Sequence, residues 1–245
     1  MAWITREGSK EAALPGPPFG ASIRPMPKRP PDVMPEIVKG DLTEAQLQAH
    51  LSSPDLAVDT ETMGLVTLRD RLCVVQLCDR AGRATLVQIP RESLDPAVPP
   101  AQRAPRLKRL LEEPRVLKVL HFARFDVAAV LHYLGIEMGP LYCTRTASKL
   151  IRTYTDRHGL KDVALELLDI EMDKAARHTD WSSPGLAPEQ VRYAISDVTF
   201  LLAIKDKLEE MLQREGRQEL ARRCFEVIPV LAQLDILGYQ NLFEH

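Results

Sequence analysis

The order in which the apolar pattern changes along this chain constrains its fold more than any other feature. Residues 56–61, 72–77 and 84–89 are short apolar runs of strand type, and the turn at 79–83 between the last two has hairpin character. Three strands in succession predict an antiparallel meander. A further short strand is expected at 36–38, before a helix opened by Thr43 and Glu44. The period then changes. Residues 102–111 read as a helix, 116–120 as a buried strand, and 126–134 as a helix closed by Gly135. Beyond that point only helices are expected: 144–153, 160–168, one long helix from Pro188 to about 212, and a last stretch over 217–237. Strands first, then strand–helix alternation, then helices implies an α/β fold, a mixed sheet flanked by helices.

Residues 1–35 stand apart. They contain eight of the nineteen prolines, which exclude regular helix and ladder pairing, so they read as a flexible or polyproline-like tail in which Met26 and Met34 are alternative starts. The expected division is a tail at 1–35, a catalytic domain at 36–213 and a C-terminal helical extension at 214–245. Four cysteines (Cys73, Cys78, Cys143, Cys224) form no Cys-x-x-Cys pair and read as buried thiols in a reducing compartment. No stretch approaches about eighteen uninterrupted apolar residues and no secretory leader is recognisable, so the expectation is a cytoplasmic protein without a membrane partner. The net charge of -2 excludes a protein-wide cationic field, and any contact with nucleic acid must be local or assisted by metal.

The chemistry is carried by acids at structurally sensible places. Asp59 and Glu61 lie two apart at the end of an apolar strand, so their side chains leave one face. Asp126 follows the buried strand at 116–120 and starts a helix, where an N-cap role competes with a ligand role. Tyr193 and Asp197 are four apart on a helix and share a face. The sequence alone does not bring these groups together. If they converge, mutual repulsion and desolvation demand a counter-charge, and hard oxygen donors favour two divalent ions, Mg2+ or Mn2+, in an arrangement suited to phosphoryl displacement.

With these residues in view a resemblance emerges. Residues 58–65 (V-D-T-E-T-M-G-L) resemble the first motif of the DEDD 3′→5′ exonucleases, 118–121 (K-V-L-H) with Asp126 resemble the second, and 193–198 (Y-A-I-S-D-V) the third in its Tyr-x-x-x-Asp form. Residues 72–77 and the stretch from 168 to Trp181 are similar to ribonuclease D. The resemblance covers about 36–213 and implies a ribonuclease H-like fold. It further implies that Asp59, Glu61, Asp126 and Asp197 hold two metal ions and that Tyr193 orients the attacking water. Leu65 then matches a wedge beside the terminal bases, and Thr62 and His121 match positions near the terminal nucleotide. The implied reaction is metal-dependent 3′→5′ hydrolysis of single-stranded RNA ends, as in tRNA or structured-RNA processing, releasing nucleoside 5′-monophosphates.

Two departures from ribonuclease D are visible. The chain has room for only a short helical segment after the catalytic core, and the loop at 180–186 lacks the arginine usual before its proline. Arg145, Lys149 and Arg152 fall on one helical stripe, extended by Arg157 and Lys161, and form a candidate track for phosphates beside the plainer reading of a solvated face. Two alternatives stay open on sequence: a DNA exonuclease sharing the motifs, and a catalytically silent nucleic-acid-binding module on the same fold.

Overall fold

A computed structural model describes residues 35–172, 179–239 and 242. Among the described residues six strands form one sheet: β1 (Glu36–Lys39), β2 (Asp55–Thr62), β3 (Leu72–Asp79), β4 (Ala84–Gln88), β5 (Leu117–Leu120) and β6 (Leu141–Cys143). Their order across the sheet is β1-β4-β3-β2-β5-β6. The β2–β3 and β3–β4 pairs are antiparallel, which is the expected meander, while β1–β4, β2–β5 and β5–β6 are parallel. Every residue of β3 and β4 is buried, as expected of a sheet covered on both faces.

Eight described helices do the covering: α1 (Glu44–Leu51), α2 (Pro105–Leu111), α3 (Arg124–Leu134), α4 (Thr144–Ile151), α5 (Leu160–Leu168), α6 (Pro188–Thr199), α7 (Leu201–Arg214) and α8 (Gln218–Ile236). Thr43 caps α1 through a reciprocal capping box with Gln46. Helix α3 ends at Gly135, whose φ of +59° suits a residue without Cβ. α6 packs on β2 and β3, α7 on β2 and β5, and α3 on α8. The core includes Leu56, Val58, Leu77, Leu86, Val119 and Leu120, all fully buried.

The structure departs from the sequence expectations in three places. Strand β6 stands where only helices were expected; three residues are too few to display a period of two. The single long helix from Pro188 is two helices, broken at Phe200, whose φ and ψ of -100° and -7° depart from regular helix values while its ring stays buried. No glycine or proline marks that break in the sequence. The helix expected at 102–111 is a 3₁₀ turn at Pro100–Gln102 followed by α2, whose first residue is Pro105. The tail at 1–34 lies outside the described residues. Three cysteines are buried as expected; Cys224 is only half-buried.

Gly135 gives a direct test of this frame. A Cβ there would meet the backbone nitrogen of Ala101 at 2.6 Å and its Cα at 3.0 Å. Gly135→Ala therefore combines left-handed strain with a backbone clash and should cost about 2 kcal/mol or more, read as a lower urea midpoint at unchanged m.

Candidate active site

Three elements of different sequence origin deliver the acids. Strand β2 places Asp59 opposite Gln76 and Glu61 opposite Val74; the register then shifts, so that Thr62 pairs with Leu72 and Cys73 is left over on β3. A bulge of this kind bends the pair and re-aims the side chains beyond it. Helix α6 lies against β2 and β3 and carries Tyr193 and Asp197 one turn apart. Helix α3 contributes Asp126 from its first turn. The cap of that helix is Ala123, without a side-chain hydrogen bond, so Asp126 is not the N-cap residue. Its carboxylate is instead buried and accepts a hydrogen bond from the Thr60 hydroxyl at 2.6 Å.

Asp59, Glu61 and Asp197 each present a carboxylate oxygen, and these three oxygens lie within 4.8 Å of one another. Asp126 adjoins this group, its charge felt by Asp59. Burial, then the charges of Asp126, Asp197 and Glu61, pushes the Asp59 carboxyl well above the usual carboxylate range. Burial raises Asp126 to about 7 against the hydrogen bond from Thr60. The cleft above these groups has a volume of about 440 Å³, and its described lining contains neither lysine nor arginine. Hard oxygen donors crowded together at this spacing fit a divalent cation such as Mg2+ or Mn2+.

Tyr193 lines the same cleft, half-buried, its ring 6.2 Å from that of Trp181. Burial and the neighbouring Asp197 and Glu61 push its phenol above the ordinary range, so it is protonated at neutral pH. His121 accompanies it in the lining. Thr144 donates to the Leu120 carbonyl at 3.0 Å, so it accepts from Nδ1–H of His121 at 2.9 Å. Burial first, then the charge of Arg145, lowers His121 to about 4, leaving a neutral ring.

Thr62 and Leu65 also line the cleft. Leu65 is 84% exposed and so is not part of the core. Met63, Phe122, Phe125, Thr179 and Trp181 complete the walls, and sequence reasoning did not single them out as site residues. A signal was present for two of the motifs: Met63 follows Glu61 by two residues, and Phe122 and Phe125 precede Asp126 by four and one.

The proposed basic track fares differently. Arg152 is buried, hydrogen-bonded to Ser148 and to the Arg157 carbonyl, and ion-paired with Glu166. Arg157 pairs with Asp162, and Lys161 donates to the Met172 carbonyl. Only Arg145 and Lys149 of the stripe keep the character expected of a phosphate contact, because the α4–α5 turn uses the others to hold itself together. The loop at 180–186 lacks its arginine but is anchored from the sheet, Arg71 donating to the Ser182 carbonyl at 3.2 Å and Gln88 to that of Ser183 at 2.8 Å.

Residues 35–213 match the 3′-5′ exonuclease family. A protein named ribonuclease D from Sphingobium indicum is 32% identical over 182 residues, which are 74% of this chain and 45% of that protein. The chain thus spans less than half the length of this curated relative. A solved structure described as the apo form of the nuclease has a TM-score of 0.80 at 40% identity, covering 87% of this chain and 99% of its own. Brucella melitensis NrnC bound to pGG gives a TM-score of 0.78 at 39% identity, covering 87% and 100%. The same protein has also been solved with bound Mg2+.

The raised Asp126 sets a pH dependence. Its folded-state pKa of about 7 exceeds the ordinary 3.8, so the folded state binds the extra proton between those values and stability falls as pH rises through that window. In chelator, the melting temperature should fall by a few degrees from the acid to the neutral side of the window. Asp126→Asn should lessen that slope, the part due to the raised Asp59 remaining, and Mg2+ at neutral pH should restore the loss. Thermal melts across pH read all three.

Proposed function

Because this chain belongs to the 3′-5′ exonuclease family, we propose that it is a metal-dependent exoribonuclease that hydrolyses the 3′-terminal phosphodiester and releases nucleoside 5′-monophosphates. The observation that carries this reading is the trio of carboxylate oxygens from Asp59, Glu61 and Asp197 within 4.8 Å, at the floor of a cleft that also holds Tyr193. In this reading Asp59, Glu61 and Asp197 hold divalent ions directly and Asp126 supports them. Residues 36–213 form the catalytic unit, and 214–245 an extension of it.

A bound divalent cation supplies Lewis-acid polarisation of the phosphate and lowers the pKa of coordinated water. The chain's own residues do the rest. Tyr193, one turn from Asp197 on α6 and in the same cleft, positions the attacking water through its hydroxyl. Trp181 packs beside it and limits where the ring can swing. Neutral His121, held by Thr144, faces the terminal nucleotide as an uncharged hydrogen-bonding group. Leu65 stands out from the β2–β3 loop as an apolar wedge against the terminal bases, with Thr62 at its base.

Two RNA classes fall within this chemistry. Ribonuclease D relatives suggest tRNA or other structured 3′ ends, but this chain spans less than half of the first of them. The solved relatives that it spans almost completely include NrnC bound to pGG, which favours RNA only a few nucleotides long. No described helix is long and apolar enough to cross a membrane; the proposed place of action is the cytoplasm.

A time course on 5′-labelled RNA and DNA, as dinucleotides and as longer strands, tests the proposal. Stepwise loss from the 3′ end with Mg2+ or Mn2+ is expected, faster on RNA, and none in EDTA. Asp59→Ala and Asp197→Ala should abolish hydrolysis while still melting cooperatively. Tyr193→Phe should lower kcat roughly 100-fold with little change in KM, because it misplaces the water without disturbing the strand. Activity that survives EDTA would refute the mechanism, and strand binding with no turnover in Mn2+ would favour the silent module.

A further inference from the structure

Phe122 carries a backbone that a phenylalanine adopts only under constraint. It follows β5 and His121, precedes the start of α3 by two residues, and has φ of +64°. For a bulky side chain the left-handed region is a genuine outlier, and such strain concentrates at functional sites. Glycine or asparagine would turn the chain there more cheaply. The strained turn does not bury the ring: Phe122 is 50% exposed, and it lines the acidic cleft.

A second contact fixes the ring from outside. The Arg145 guanidinium, in the first turn of α4, sits 4.4 Å from the ring centroid. Among the described residues Arg145 makes no ion pair, unlike Arg152 and Arg157 of the same stripe. The cleft also holds the exposed apolar side chains Leu65 and Met63, which come from the β2–β3 loop rather than from the turn before α3.

We infer that Phe122, braced by Arg145, is a stacking platform for a base of the nucleotide strand seated in the cleft. The inference rests on the exonuclease reading and adds to it a residue that selects for a base as such. An aromatic face accepts any base, so recognition here is tolerant of sequence and intolerant of a missing base. Arg145 adds a positive charge beside the platform, where the strand's phosphate backbone passes.

The test uses RNA carrying 2-aminopurine at the terminal or penultimate position, whose fluorescence is quenched by stacking, with calcium replacing magnesium so that binding is read without turnover. Two variants keep the outcome interpretable. Phe122→Asn removes the ring while retaining a residue tolerant of the left-handed backbone, and Phe122→Trp keeps an aromatic face. Quenching at one of the two positions is expected for the unaltered chain and for Phe122→Trp. Phe122→Asn should lose it, melt no lower, and bind the strand roughly 10- to 100-fold more weakly. A strand lacking the base at that position should bind the unaltered chain and Phe122→Asn equally. Unchanged quenching in Phe122→Asn, or an equal loss of affinity for the strand without the base, overturns the platform. If the unaltered chain still hydrolyses RNA in that event, the exonuclease reading survives alone; if it neither binds nor hydrolyses any strand, both fall.

Discussion

Repulsion between carboxylates that the fold forces together is the constraint on which this structure turns. The end of β2 brings Asp59 and Glu61 out on one face, α6 lays Asp197 against them, and Asp126 arrives from α3. Left alone, such a group costs stability, because burial and like charge both disfavour ionisation. The surrounding fold makes the arrangement persist. Thr60, on the same strand as two of the acids, ties Asp126 down at 2.6 Å, and the β2–β3 bulge sets the angle at which the strand end meets the helix. Hard oxygen donors set this close together suit a hard divalent cation.

The described lining of the cleft has no lysine or arginine, and several arginines are engaged elsewhere in the fold: Arg152 with Glu166, Arg80 with Asp55 and Asp206, Arg71 with backbone carbonyls. A resident cation from the protein would neutralise the acids and compete with a metal ion. The walls are accordingly apolar, from Leu65 and Met63 to Phe122 and Trp181, and the net charge of -2 leaves nucleic-acid attraction to local features. Such a distribution attracts a strand through metal and bases rather than through a broad basic surface.

Much of this was legible in the sequence because the signals were local. The bounds of α5 coincide with the expected 160–168, Gly135 ends α3 in the left-handed conformation, and the meander of β2, β3 and β4 comes from three closely spaced apolar runs. Asp59 and Glu61 stood out because they close a strand and Asp126 because it opens a helix, whereas Asp197 was marked by its spacing of four from Tyr193. What escaped was long-range. Strand β6 owes its existence to pairing with β5, not to its own three residues. Arg152 looked like one of a row of surface cations, yet Ser148, Glu166 and the Arg157 carbonyl draw it inside. Phe122 sat one residue beyond a recognised histidine, and only its backbone angle and its partner Arg145 distinguish it from any loop phenylalanine.

The most direct measurement of the central claim is anomalous diffraction from crystals of this chain grown with Mn2+. The expected result is manganese density enclosed by the carboxylates of Asp59, Glu61 and Asp197, with Asp126 alongside. Density absent from that cleft in fully loaded crystals, or a lysine or arginine side chain folded in among the three acids instead, would contradict it.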